Sequence, residues 1–136
     1  MKLPEGTIIA AGPVIIEDGK VLLNRERKSD GEESPYFMFP GGTVDDFSIP
    51  FEETAIREAK EEMGIDIEII RPLRTLITKR PGKETYAILV NFLAKRTSDI
   101  IPGPDTLEWG WYDIEHLPEN CAPNIYEIVS DIKNEV

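Results

Sequence analysis

The stretch that decides the fold reads Arg57-Glu58-Ala59-Lys60-Glu61-Glu62-Met63-Gly64-Ile65. It predicts a helix that ends at Gly64, because glycine readily adopts the left-handed conformation that closes a helix. Glu58, Glu61 and Glu62 stand at positions i, i+3 and i+4 of this helix. At about 100° per residue, their side chains fall within about a third of the helix circumference. They are expected to form one acidic patch.

An acidic patch on a helix is usually a solvent-exposed face, and the angular positions of the neighbouring residues decide whether that holds here. Glu58 and Glu62 lie within about 20° of Phe51, at the margin of the apolar stripe, so they are not on the solvent face. Carboxylates at the margin of a core are partly desolvated and repel one another unless a cation lies among them. All-oxygen ligands select a hard cation, so the stretch predicts a Mg2+ site, with Mn2+ as the alternative. The apolar stripe is Phe51, Ala55, Ile56, Ala59 and Met63, and the solvent face is Glu53, Arg57 and Lys60.

Composition limits the class of protein. The 136 residues, of which 40% are hydrophobic and 30% charged, are expected to form one domain with its own core. With 15 basic and 26 acidic residues the net charge is -11, which argues against nucleic acid and anionic membranes as partners. Cys121 is the only cysteine, which suits a reducing, cytoplasmic location. The apolar run 7–16 contains Gly12 and Pro13, so it predicts a strand and neither a signal peptide nor a membrane span.

The predicted order of elements is that of a mixed sheet covered by helices. Pro50 is expected to open the acidic helix, and Asn124 to cap a last helix. Because each helix must bury one apolar side, the order predicts an α/β fold in the wide sense (α+β), arranged as an α/β/α sandwich with a mixed sheet. Strands are expected at residues 7–16, 21–27, 36–39, 65–70, 73–78, 85–94 and 107–112.

With Pro40-Gly41-Gly42 upstream, the acidic stretch resembles the signature motif of the MutT-like Nudix hydrolases. The resemblance covers the whole chain, residues 1–136. The second half of the motif, Arg-Glu-apolar-x-Glu-Glu-x-Gly-apolar, is met at every position. The resemblance implies a Nudix-like α/β/α sandwich. It also implies a pyrophosphohydrolase that cleaves a nucleoside diphosphate linked to another moiety, with water attacking phosphorus.

The first half of the motif departs from the family pattern. The family has 13 residues between the glycine and the Arg-Glu pair, whereas 14 residues separate Gly42 from Arg57 here. The glutamate expected in this spacer therefore falls on Ser48 or on Ile49, depending on the direction of counting. Asp45, Asp46 and Glu52 are the alternatives, and the sequence does not choose among them. The departure motivates a second hypothesis, a non-catalytic Nudix-like domain that binds a nucleotide.

The resemblance also assigns residues to the chemistry. It implies that Glu58, Glu61 and Glu62 ligate the divalent metal and that the carbonyl of Gly41 is a further ligand. Two carboxylates are candidates for the base that activates water, Glu61 and Glu108. The close approach expected at Gly41 predicts that Gly41→Val abolishes activity at little cost in folded yield.

Four further residues are candidates for binding the small-molecule substrate. Arg25 and Arg27 could reach a phosphate from a rigid strand, or could occupy an exposed edge. Tyr36 and Phe37 could stack on a base, or could belong to the core. The sequence leaves the substrate open among nucleoside triphosphates, ADP-ribose and nucleotide sugars. Formation of a homodimer is also left open.

Overall fold

The computed structural model describes residues 2–28 and 30–135. Within these residues no helix is both long enough and apolar enough to cross a membrane. The elements follow in the order β1 (Ile8–Glu17), β2 (Lys20–Glu26), β3 (Gly42–Thr43), α1 (Phe51–Met63), β4 (Ile67–Pro72), β5 (Leu76–Lys79), β6 (Tyr86–Arg96), β7 (Thr106–Asp113) and α2 (Pro123–Lys133).

The strands form one mixed sheet in the order β4-β6-β1-β2-β7, with β3 paired to β1 and β5 paired to β6. Its centre is a parallel pair, in which β1 and β6 align from Ile8 opposite Ala87 to Ile15 opposite Ala94. All other pairs are antiparallel. The mixed sheet predicted from the sequence is therefore confirmed.

Both faces of the sheet are covered, because consecutive residues of a strand point to opposite faces. Val14 of β1 packs in a core that includes Ile125 and Ile128 of α2. The next residue, Ile15, packs in a second core with Ala59 and other buried residues of α1. The sheet thus lies between α1 and α2, which confirms the α/β/α sandwich.

The two helices differ in how well the sequence located their ends. Gly64 closes α1 in the left-handed conformation, with φ of 66°, and its N–H donates to the carbonyl of Lys60 at 3.0 Å. Pro50 is the residue that precedes the first turn of α1. The prediction for α2 was wrong, because Ala122 occupies the cap position and Asn124 lies buried in the first turn.

The segment before Gly42 is not the strand that the sequence predicted for residues 36–39. It makes only isolated bridges, from Met38 to Asn24 and from Phe37 to Cys121. The sequence missed this because pairing depends on which neighbouring strand is within reach, and not only on the apolar character of the segment.

The same segment fills a gap between β1 and β2. These strands pair through only two positions next to their turn, Ile16 with Val21 and Glu17 with Lys20. Farther from the turn they diverge, and β1 pairs with β3 instead. The turn before β3 packs so tightly on β1 that a Cβ added to Gly12 would overlap the Pro40 carbonyl oxygen.

This contact predicts that Gly12→Ala lowers the free energy of unfolding by about 2 kcal/mol or more, because backbone atoms cannot yield as a side chain can. Urea unfolding measures the effect. Gly110→Ala is the matched control, since a Cβ there would meet the Tyr112 side chain at 3.3 Å. Equal stability of the two variants would contradict the close approach.

Candidate functional site

A cavity of about 260 Å³ opens where β1 and β2 diverge. Residues of β1, β2, β5 and β6 line it, together with the segment that leads into β3. Glu62 of α1 reaches the cavity from the side. The lining residues used below are Asn24, Glu26, Lys28, Tyr36, Gly41, Gly42, Glu62, Arg80, Lys83, Asn91 and Asn124.

Glu62 is fixed by two hydrogen bonds from different parts of the chain. Its Oε2 accepts from the N–H of Gly41 at 2.8 Å, and its Oε1 accepts from Asn24 Nδ2 at 3.3 Å. Asn24 is only 1% exposed and its Nδ2 also donates to Glu26 Oε1 at 2.7 Å. One buried amide therefore holds the carboxyl groups of Glu62 and Glu26 side by side.

Glu26 was not among the residues expected from the sequence. Thr106 Oγ1 donates to its Oε1 at 2.9 Å, so β7 also contributes to holding it. The alternation along β2 could have identified it. Leu22 packs in the core beneath α1, and Asn24 and Glu26 follow on the same face. The sequence interpretation followed the other face, which carries Arg25.

The electrostatics of the site disfavour the ionised carboxylates. Burial, followed by the hydrogen bond to Glu26 and its negative charge, raises the pKa of Glu62 to about 9, although the Gly41 N–H acts in the opposite direction. Burial and the charge of Glu61 raise the pKa of Glu58, opposed by Arg57. Such carboxyl groups are stabilised either by a proton or by a nearby cation.

Glu58 and Glu61, two of the expected metal ligands on α1, differ in exposure. The Glu58 side chain is 15% exposed, whereas that of Glu61 is 61% exposed and has its carboxylate 3.9 Å from Arg57 Nε. A Cβ added to Gly42 would lie 2.5–2.7 Å from the two carboxylate oxygens of Glu58. Gly42 therefore lets Glu58 lie directly against the backbone.

The donor chemistry of the site fits a hard divalent cation. Glu58 and Glu62 offer carboxylate oxygens on either side of the same Gly41-Gly42 backbone, and oxygen donors are the ligands of Mg2+. Across residues 2–28 and 30–135, however, no three His, Cys, Asp or Glu side chains are grouped so that they could hold a metal ion. The third glutamate, Glu61, lies beside Arg57 instead.

Gly41 has a structural role as well. A Cβ on Gly41 would lie 2.7 Å from the carbonyl oxygen of Ala11. Contrary to the expectation from the sequence, Gly41→Val is therefore predicted to cost stability as well as activity, and it is a poor test of the site alone.

The three acids that could replace the glutamate missing from the motif differ in their contacts. Asp45 Oδ1 accepts from the guanidinium of Arg57 at 3.4 Å, which ties the loop to α1. Asp46 is used within the loop, where it accepts from the N–H of Ser48 at 2.9 Å. Glu52 is exposed in the first turn of α1. Of the three alternatives, only Asp45 joins the loop to the helix.

Arg25, Arg27 and Glu108 do not line the cavity and have partners elsewhere. Arg25 is opposite Glu108 in the register of β2 and β7, and its Nε lies 3.0 Å from Glu108 Oε1. Its guanidinium also donates to the carbonyl of Ser34 at 2.8 Å. Arg27 pairs with Glu33 at 3.5 Å. The structure therefore does not bring Arg25, Arg27 or Glu108 together with Glu58 and Glu62.

The two expected stacking residues are separated. Tyr36 lines the cavity. Phe37 is 5% exposed and packs on Tyr112, with the ring centroids 5.0 Å apart. Phe37 is thus part of the core, as expected where an aromatic side chain meets an apolar neighbour.

Two buried asparagines complete the inner part of the cavity, and neither was expected there. Asn91 Nδ2 donates to the carbonyl of Gly12 at 3.3 Å. Asn124 is 5% exposed. Asn91 could have been noticed as the one polar residue within the apolar run 87–94. A side-chain amide offers both a donor and an acceptor, so these residues can recognise the edge of a planar polar group.

The fold is a mixed sheet between two helices, with carboxylates of α1 against a glycine turn. The model of the NUDIX domain family matches residues 7–132. The chain therefore belongs to the Nudix family, as the resemblance in the sequence predicts, and it is a Nudix hydrolase.

Solved structures share this fold at low sequence identity. A MutT NUDIX hydrolase from Burkholderia pseudomallei is 23% identical with a TM-score of 0.75, covering 94% of this chain and 99% of that one. An Ap4A hydrolase from C. elegans is 23% identical with a TM-score of 0.71, covering 93% and 95%. An ADP-ribose pyrophosphatase from Streptococcus suis is 21% identical with a TM-score of 0.65, covering 95% and 94%.

The raised pKa of Glu62 predicts how stability depends on pH in the absence of divalent metal. The folded protein holds this proton more tightly than the unfolded chain, whose carboxyl has its ordinary pKa of 4.5. The resulting stabilisation is complete below about pH 4.5 and is lost as the pH rises toward 9. In EDTA, the melting temperature of the wild type should therefore fall between pH 5 and pH 9 by about 5 °C or more relative to Glu62→Gln.

Millimolar Mg2+ at pH 7.5 should raise the melting temperature of the wild type again and should raise that of Glu62→Gln less. The reason is that a cation that binds the folded state stabilises it. Thermal melts of both proteins measure each effect. If the melting temperatures of the wild type and of Glu62→Gln change in parallel with pH and with Mg2+, then Glu62 is neither desolvated nor part of a cation site.

Proposed function

We propose that this chain, residues 1–136 as one domain, is a divalent-metal-dependent pyrophosphohydrolase acting on a nucleoside diphosphate linked to another moiety. The observation that carries the proposal is the placement of Glu58 and Glu62 against the Gly41-Gly42 backbone at the side of the cavity. Membership of the Nudix family supports it. Three acidic residues on one helix turn cost stability that a purely binding domain has no reason to accept.

The proposal gives each residue a role. Glu58 and Glu62, together with the Gly41 carbonyl, would hold Mg2+ or Mn2+. When bound, the cation would neutralise charge on the diphosphate and lower the pKa of water. The Gly41 N–H and the Asn24 amide orient Glu62. Glu61 would accept the proton of the attacking water, because it shares the face of α1 with Glu58 and Glu62, whereas Glu108 is on β7 and is paired with Arg25.

The cavity suits the nucleoside part of such a substrate. Tyr36 offers a ring for stacking, and the amides of Asn91 and Asn124 offer hydrogen bonds to a base. The related folds named for ADP-ribose and Ap4A hydrolysis support a nucleotide-linked substrate. The net charge of -11 fits a substrate that arrives with its metal and not as nucleic acid. A cytoplasmic location stays a prediction, and the question of a homodimer stays open.

The experiment is a hydrolysis panel of nucleoside triphosphates, ADP-ribose, nucleotide sugars and dinucleoside polyphosphates with Mg2+ or Mn2+, followed by identification of the products. For whichever compound is cleaved, Glu58→Gln and Glu62→Gln should each lower turnover by on the order of 10²-fold, as expected for loss of a metal ligand.

Glu53→Gln is the matched control, because Glu53 is exposed on the same helix away from the cavity. It should keep wild-type turnover. Near wild-type turnover of both site variants, with the fold intact by circular dichroism, would show that α1 does not carry the chemistry.

A further inference from the structure

Two carboxyl groups line the cavity, that of Glu62 on α1 and that of Glu26 on β2. Asn24 Nδ2 donates to both, at 3.3 Å to Glu62 Oε1 and at 2.7 Å to Glu26 Oε1, so these two oxygens are at most about 6 Å apart. The two side chains are also close enough for a direct hydrogen bond when one of them holds a proton. The carboxyl group of Glu26 is therefore adjacent to that of a proposed cation ligand.

An irregularity in the pairing of β2 with β7 determines the position of Glu26. Arg25 is opposite Glu108. The next residue, Glu26, is opposite Thr106, because the register shifts between Arg25 and Glu26. Thr106 Oγ1 donates to Glu26 Oε1 at 2.9 Å. Bulges of this kind re-aim a side chain and are common beside active sites. Glu26 is thus held by its partner strand as well as by Asn24.

The two oxygens of Glu26 have different surroundings. Oε1 accepts both hydrogen bonds, from Asn24 and from Thr106. No N–H or hydroxyl group of residues 2–28 and 30–135 donates to Oε2. Carboxylates that ligate a metal are typically fixed by hydrogen bonds from neighbouring groups. The arrangement fixes the side chain through Oε1 and leaves Oε2 available as a ligand.

The charges of Glu26 and Glu62 are not balanced by a neighbouring side chain. Within the described residues, no nitrogen of Lys, Arg or His lies within 4.0 Å of either carboxyl group. Arg25 and Arg27, on either side of Glu26 in the sequence, form ion pairs with other residues. Two adjacent, partly desolvated carboxylates destabilise each other unless a proton or a cation lies between them. A divalent cation would supply this charge.

We propose, building on the proposed function, that Glu26 is a further ligand of the cation that Glu62 binds, and that it binds through Oε2. It takes the place in the ligand set that the sequence motif implies for Glu61, whose side chain is 61% exposed and lies beside Arg57. Mg2+ takes one or two protein carboxylates and keeps several waters. The pair therefore does not depend on a third acidic side chain, and none is grouped with it in residues 2–28 and 30–135.

The test is Mn2+ binding to the substrate-free protein, measured by titration calorimetry on the wild type and on Glu26→Gln. Glutamine keeps a side-chain oxygen that can accept from Asn24 and Thr106, but an amide nitrogen that cannot bind a cation replaces the second oxygen. The dissociation constant for Mn2+ should therefore rise about tenfold or more. Water proton relaxation at saturating Mn2+ should show about one more water bound to the ion, because water takes the place of the lost ligand.

Glu33→Gln is the matched control. It removes the same charge, but Glu33 is exposed, pairs with Arg27 and does not line the cavity, so this variant should bind Mn2+ as the wild type does. Thermal melts in EDTA check the fold. Glu26→Gln should melt no lower than the wild type, because one of two repelling carboxylates is gone. If it does not fold, an anomalous difference map of the wild type with Mn2+ decides, and the expected peak lies within about 2.5 Å of a Glu26 oxygen.

The role of Glu26 and the proposed function fail separately. Unchanged Mn2+ affinity in Glu26→Gln, a weaker affinity without the added water, or a wild-type Mn2+ peak remote from Glu26 would overturn Glu26 as a ligand. If Glu62→Gln still weakens Mn2+ binding in that case, the cation site of the proposed function stands. If Glu26→Gln weakens binding and adds a water but no panel compound is cleaved, Glu26 stands as a cation ligand and the hydrolytic function is rejected.

Discussion

The hydrogen bond from the Gly41 N–H to the Glu62 carboxylate is the contact on which the site depends. It joins the helix α1 to the turn that fills the gap between β1 and β2. This turn also lies very close to Gly12 of β1. A Cβ added to Gly12 or to Gly41 would overlap backbone atoms. The side-chain amide of Asn24, on β2, donates a second hydrogen bond to the Glu62 carboxylate. A shift in any one of these elements would therefore move the acidic group relative to the cavity.

The electrostatic arrangement of the site suits a cation. The negative charge of Glu26 disfavours ionisation of Glu62, and Glu58 is also partly desolvated. A divalent cation bound at this site, as proposed, would in turn attract a diphosphate.

Much of the fold could be predicted from the sequence because its signals are local. The spacing of Ala55, Ala59 and Met63 and the glycine at position 64 define α1, and the continuous apolar run of β1 predicts a strand. The ends of α2 were less certain because its cap, Ala122, makes no side-chain hydrogen bond that a sequence pattern could reveal.

The parts that could not be predicted depend on contacts between distant segments. Arg25 was expected at the site, but the register of β2 and β7 pairs it with Glu108, 83 residues away. Glu26 was missed because the sequence analysis considered the face of β2 that carries Arg25 and not the face that carries Asn24. Asn124 was read as a helix cap because asparagine favours that position, whereas tertiary packing buries it beside the cavity.

The measurement that tests the central claim most directly is an anomalous difference map from a crystal soaked in millimolar MnCl2. The expected result is a peak within about 2.5 Å of carboxylate oxygens of both Glu58 and Glu62, beside the Gly41-Gly42 backbone. A map with strong peaks only at exposed surface carboxylates, and none between these two residues, would contradict the account.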